Sequence, residues 1–143
     1  MTKPFLVPFR AEHMFAFVPR TNIPLEMRFG LANENGGPAF TAVLDEKIIG
    51  CAGINLLWPG VGAAWVAFGK EIEDHGLWAT RTVRAVLRDT VRSFNLHRVE
   101  AVVYAENHRD ARWIRLLGFR KENDIAQMYT SDKRDVVRFE LIS

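Results

Sequence analysis

The chain has 143 residues, 48% hydrophobic and 25% charged, with a formal net charge of +2. That is the length of one domain, 1–143, able to bury roughly two-thirds of its extended-chain surface, and the composition is that of a globular protein rather than a disordered one. No apolar run approaches the roughly 18 residues of a membrane span, and the single cysteine, Cys51, excludes an internal disulfide.

In chain order, PFLVPF predicts a short edge strand, since Pro4 and Pro8 withhold ladder donors. AEHMFAFV has helical character and stops at Pro19. Residues 24–32 predict a second short helix with Pro24 in its first turn, where a missing N–H costs nothing. NENGGP is a turn by composition. AFTAVLD and KIIGCAGINLLW predict a strand pair about Asp45-Glu46-Lys47, and GAAWVAFG, after Pro59-Gly60, predicts a third antiparallel strand.

After Gly76 comes the clearest element, a long amphipathic helix. Val83, Val86, Leu87, Val91 and Phe94 share one face, and Arg81, Arg84, Arg88 and Arg92 form a ridge on another. Asn95 marks its stop. HRVEAVVYA reads as a buried strand. A helix from about Arg109 to Leu117 ends at Gly118, which suits a left-handed cap. RKENDIAQMYT and DVVRFELI predict a terminal hairpin around Ser131-Asp132-Lys133. The sum is an α/β fold of order β-α-α-β-β-β-α-β-α-β-β.

The small net charge hides an asymmetry. Residues 77–121 hold ten Lys or Arg against four Asp or Glu, and the rest holds nine against thirteen. A basic block on an acidic body suits phosphate-bearing ligands or an acidic protein partner docking on the Arg81/Arg84/Arg88/Arg92 face. No nucleic-acid-binding motif accompanies the arginines, so nucleic acid is not an expected partner. The four histidines, His13, His75, His97 and His108, form no HxxxH or HExxH pair, and no metal site is expected. Cys51 lies in the apolar run IIGCAGI, which predicts a buried thiol. The N-terminus lacks a signal-peptide pattern, so the expected compartment is the cytoplasm, or a particle assembled in it.

The stretch from Gly62 to Phe119 carries a resemblance. A strand, a helix starting at Gly76, a second strand, Asn107 and, eleven residues on, Gly118-Phe119 resemble the GNAT superfamily of N-acetyltransferases, with Ile48-Ile49-Gly50 as its third-strand signature. The resemblance implies a single GNAT-type domain: a mixed, mostly antiparallel sheet with splayed central parallel strands and about four helices. It also implies acetyl-CoA as cofactor and acetyl transfer to an amine, the acceptor being unspecified. The backbone of Ala67 and Phe68 would then pair with the pantetheine arm, and the N–H groups of Gly76, Leu77, Trp78 and Ala79 would meet the pyrophosphate, as helix N-termini hold phosphates. His75 would stand at the mouth as a base or phosphate contact, and Asn107 would line the floor.

The chain departs from the family pattern in three places. The loop aligns as Glu73-Asp74-His75-Gly76-Leu77-Trp78, with an acid where the family carries glutamine or arginine and an indole where it carries glycine or alanine. The family's proton-donating tyrosine falls on Ile114, beside Trp113, leaving Tyr104 as the substitute acid. The strand that often supplies a basic glutamate has none, leaving Glu71. The eroded loop and Trp113 also resemble small internal virion proteins of short-tailed phages. Two functions therefore stand side by side: an acyl-CoA-dependent N-acyltransferase, and a catalytically silent interaction module such as a phage internal virion protein.

Overall fold

A computed structural model describes residues 3–122 and 124–143. The strands follow the order β1-β2-β3-β4-β5-β7-β6. The chain packs as two compact units, the first built from the chain up to Asn55 with Ala64–Ala79, the second from Leu56–Ala63 with Thr80–Ser143.

In the first unit β1 (Phe5–Pro8) pairs antiparallel with β2 (Ala39–Leu44), and β2 with β3 (Lys47–Trp58). Asp45 and Glu46 turn that hairpin with φ of 49° and 66°, the pair of positive angles a tight two-residue hairpin demands. Phe9, Met14, Cys51 and Ala67 make the core, with Phe17, Ile23, Leu31 and Trp65 packed around it. The Phe9 and Trp65 rings meet edge to face at 5.2 Å. α1 (Leu25–Leu31) is stapled to this core by Arg28, whose Nη2 donates to the Met14 carbonyl at 2.7 Å.

AEHMFAFV, expected as a helix to Pro19, is a 3-10 helix only over Ala11–Phe15. Tertiary contacts limit it. Ala11 N–H donates to Glu34 Oε1 at 2.5 Å, and Met14 is pulled wholly into the core. Pro19 disfavours helix at Val18, and the chain there runs extended to bridge Gly69.

In the second unit the start of β4 (Val61–Phe68) pairs parallel with β5 (Arg98–Tyr104) over three residue pairs, ending at Ala63 opposite Glu100. This parallel pair among otherwise antiparallel ones makes the sheet mixed, as expected. β7 (Val136–Ile142) runs antiparallel to β5 along its whole length. The expected terminal hairpin is shorter than its sequence pattern: β6 is only Arg120–Lys121, followed by an isolated bridge from Ala126 to Val136. Polar side chains divert the backbone in between. Met128 N–H donates to Asp135 Oδ1, and Arg134 N–H to Thr130 Oγ1, while Met128 and Lys133 adopt positive φ.

α2 (Gly76–Ser93) ends where Asn95 turns left-handed at φ 51°, and α3 (His108–Leu116) ends at Gly118, φ 103°. Leu87 is buried on the expected face of α2, but Phe94, just past the last helical residue, is exposed. Trp113 Nε1 donates to Thr80 Oγ1 at 2.9 Å, tying α3 to α2, and Arg84 donates to the Leu116 carbonyl. Val99, Val136 and Phe139 are the most buried side chains of this unit. Arg98 bonds three carboxylates, Glu140 and Glu122 at 2.7 Å and Glu100 at 3.3 Å. The described residues hold three α-helices and two 3-10 helices rather than about four helices. No helix among them is long and apolar enough to cross a membrane.

Candidate functional site

The sequence motif converges on the segment from the end of β4 to the first turn of α2, all within the first unit. Ala67, Phe68 and Gly69 are buried. The chain then makes a 3-10 helix, Lys70–His75, anchored by buried Ile72, whose N–H donates to the Gly69 carbonyl at 3.3 Å. Burying Ile72 turns Glu71, Glu73 and Asp74 to the surface. α2 leaves this turn directly at Gly76, with no acidic residue in its own first turn.

Two glycines here have different reasons to be glycine. A Cβ on Gly50 would lie 2.8 Å from Phe68 Cδ1 and 3.1 Å from the Ala67 carbonyl oxygen. Close packing of β3 on the end of β4 therefore explains Gly50. Gly76 has φ −58° and ψ −39°, which any residue adopts, and a Cβ there would meet nothing within 4 Å. Nothing in the fold itself requires glycine at 76. Exposed Leu77, half-buried Trp78 and buried Ala79 follow it, and His75 is half-buried just before it.

The edges of β4 are also unequal. Gly69 N–H donates to the Ile49 carbonyl at 2.8 Å, so this residue, and Ala67 by strand alternation, faces β3. The Phe68 carbonyl points to the opposite edge and already accepts from Arg20 N–H at 2.8 Å. Val66, two residues earlier on that opposite edge, is exposed. Glu71 curls back over the strand end: its Oε1 lies 2.9 Å from where a Cβ on Gly69 would sit. Sequence reasoning missed Arg20 and Val66, because an extended Pro-Arg segment and a mid-strand valine carry no local pattern.

The remaining expected residues lie in the second unit. Tyr104 is half-buried at the end of β5, with the Arg134 guanidinium 3.4 Å from its ring centroid. Burial raises its hydroxyl pKa above the ordinary tyrosine range against the opposing charge of Arg134. Asn107 caps α3. Its Oδ1 accepts from Asp110 N–H at 3.0 Å and its Nδ2 donates to Asp110 Oδ2 at 2.7 Å. Ile114, at the position of the family's tyrosine, is buried in the core.

Burial pushes the Cys51 thiol up to about 11, against a weaker opposing effect of its Thr41 contact, so it is no thiolate nucleophile at neutral pH. Of the expected arginine ridge, Arg84 is engaged with Leu116, and Arg88 lies 3.6 Å from Asp89. Among the described residues no group of three His, Cys, Asp or Glu side chains is placed to hold a metal ion.

Comparison with known proteins agrees with the fold. Solved structures with the same fold include the IAA acetyltransferase from Bacillus cereus ATCC 14579, at 13% identity and TM-score 0.75 over 99% of this chain and 100% of that one. The ribosomal-protein-S18-alanine N-acetyltransferase from Escherichia coli is 16% identical, TM-score 0.75, over 98% and 94%. An acetyltransferase of the GNAT family from Bacillus anthracis is 16% identical, TM-score 0.70, over 99% and 95%. No curated protein matches the chain by sequence. A family model described as an acetyltransferase (GNAT) domain matches residues 8–120, and the chain therefore belongs to that family.

Proposed function

We propose that the chain is an acyl-CoA-dependent N-acyltransferase that moves an acetyl group to an amine. The observation that carries this reading is Gly76: a glycine that neither backbone angle nor packing requires, with open space about its Cα, at the first residue of a long helix. Such a position lets the backbone N–H groups of Gly76 to Ala79 approach a pyrophosphate closely, with the helix dipole behind them. His75 adds a contact at the edge of that turn. On β4 the pairing position for the pantetheine arm moves from Ala67 and Phe68 to Val66, because Ala67 faces β3 and the Phe68 carbonyl is held by Arg20.

Bound acetyl-CoA supplies the activated acyl group. Glu71, exposed at the end of β4, is the base for the acceptor ammonium. Such a group contributes typically 10²–10⁴-fold. That several solved relatives are described as N-acetyltransferases, one for spermidine and one for a ribosomal-protein alanine, supports an amine as acceptor.

Calorimetric titration with acetyl-CoA, and with free CoA for comparison, tests the reading. Micromolar binding is the expected result, and no heat up to millimolar ligand would overturn it.

A second reading is a silent interaction module of the kind carried inside a phage particle. It is favoured by the Asn107 amide being engaged by Asp110 and by the buried Ile114 at the acid position. In that case Arg81, Arg88 and Arg92, all exposed, face a neighbouring protein. Charge reversal at Arg88 then breaks assembly while leaving ligand binding alone. Arg84 is a poorer probe, since it also tethers α3.

A further inference from the structure

Three exposed carboxylates, Glu71, Glu73 and Asp74, stand immediately before α2, and any anion at the start of that helix meets their charge. Arg20 reaches the same place from a distant part of the sequence. Its N–H donates to the Phe68 carbonyl at 2.8 Å, while Pro19 bridges Gly69, so its backbone is fixed to the end of β4. Its guanidinium carbon lies 5.9 Å from the Phe68 ring centroid and its Nη1 lies 4.0 Å from Glu73 Oε1. The Arg20 side chain is 13% exposed, against 46% for Glu73. The cation is thus sheltered and placed by the fold, where its charge is screened less than that of a free surface arginine.

We infer that Arg20 is a positioning residue for anion capture at the start of α2. It offsets the charge of Glu73, leaving Glu71 and Asp74 to be set against Lys70 and the helix dipole. The inference rests on the coenzyme reading above. Arg20 acts through Glu73, so its role is conditional on that carboxylate, and a double substitution separates it from a merely structural one.

The test titrates wild type, Arg20→Gln, Glu73→Gln and the double variant with CoA and with pantetheine, which carries no phosphate. The Arg20 N–H survives in every variant, so the bond to Phe68 is retained. Arg20→Gln is expected to weaken CoA about two- to fivefold, the range of a local charge at a helix terminus. Adding Glu73→Gln restores the loss, Arg20→Lys largely escapes it, raised salt shrinks it, and pantetheine binds all forms alike. A loss that persists in the double variant, or that extends equally to pantetheine, overturns the inference. So does wild-type binding that Arg20→Gln leaves unchanged, with the coenzyme reading intact. Wild type that binds neither ligand overturns the coenzyme reading and the inference together.

Discussion

Replacing Gly76 by alanine should make the protein more stable and a poorer coenzyme binder. The added methyl meets no atom within 4 Å, and the backbone at φ −58° and ψ −39° accepts it without strain. No native contact is gained or lost, so the stability change comes from the unfolded chain, which has fewer conformations to give up. That is worth about 0.4–1 kcal/mol, with the lower half expected because residue 76 opens the helix rather than lying within it. For a chain of this size the gain is about 1–4 °C in Tm. On the coenzyme reading the methyl would also occupy the space through which a pyrophosphate approaches the first turn, and acetyl-CoA affinity is expected to fall at least about tenfold, or ~1.4 kcal/mol. Gly76→Glu, which adds charge as well, should abolish binding. Urea denaturation and calorimetric titration of the same preparations read both quantities. A loss of stability would show that the fold does need this glycine. An alanine variant that binds acetyl-CoA like wild type would show that the ligand does not.

Gly50→Ala is the contrasting case: its methyl would press on Phe68 and on the Ala67 carbonyl, and a loss of about 1–3 kcal/mol in urea denaturation is expected, no loss counting against the packing described. Acid should weaken the second unit through Arg98. The Glu140 carboxyl is held below its ordinary pKa chiefly by its hydrogen bond to Arg98, so its contribution is present above the ordinary carboxylate range and is lost as pH falls through that range and below it. Arg98→Met should flatten the acid limb of the urea midpoint against pH, and an unchanged slope would refute the coupling. The two units should unfold in one transition, because β3, β4 and α2 each run continuously through both. Trp65 and Trp78 report on one unit and Trp58 and Trp113 on the other; single-tryptophan variants with separate midpoints would refute this.

Most elements were legible because their signals are local. The face of α2 repeats at helical spacing, the β2–β3 hairpin is marked by its turn, Gly118 stops α3 in the left-handed conformation, and the apolar run around Cys51 forecast its burial. The candidate site was legible only where a backbone feature coincides with a residue type, as at Gly76. Short elements were not. Whether AEHMFAFV makes a full helix or a 3-10 turn depends on Glu34 reaching Ala11, and whether RKENDIAQMYT pairs depends on Asp135 and Thr130 bonding its backbone.

The amino-acid sequence by itself determined the element order, the family pattern and the glycine at the head of α2, because periodicity, turn chemistry and motif spacing act over a few residues. Only the tertiary structure decided which charges and backbone groups are engaged. A linear count assigns residues 77–121 an excess of positive charge, yet Arg98 and Arg120 both bond Glu140, which lies outside that block. Likewise Glu73 reads as a bare acid until the chain brings Arg20 beside it, and Phe68 reads as an open strand end until the Arg20 N–H is found on its carbonyl. Coulomb and hydrogen-bond energies depend on distance in space, and folding alone sets those distances for residues far apart in the chain.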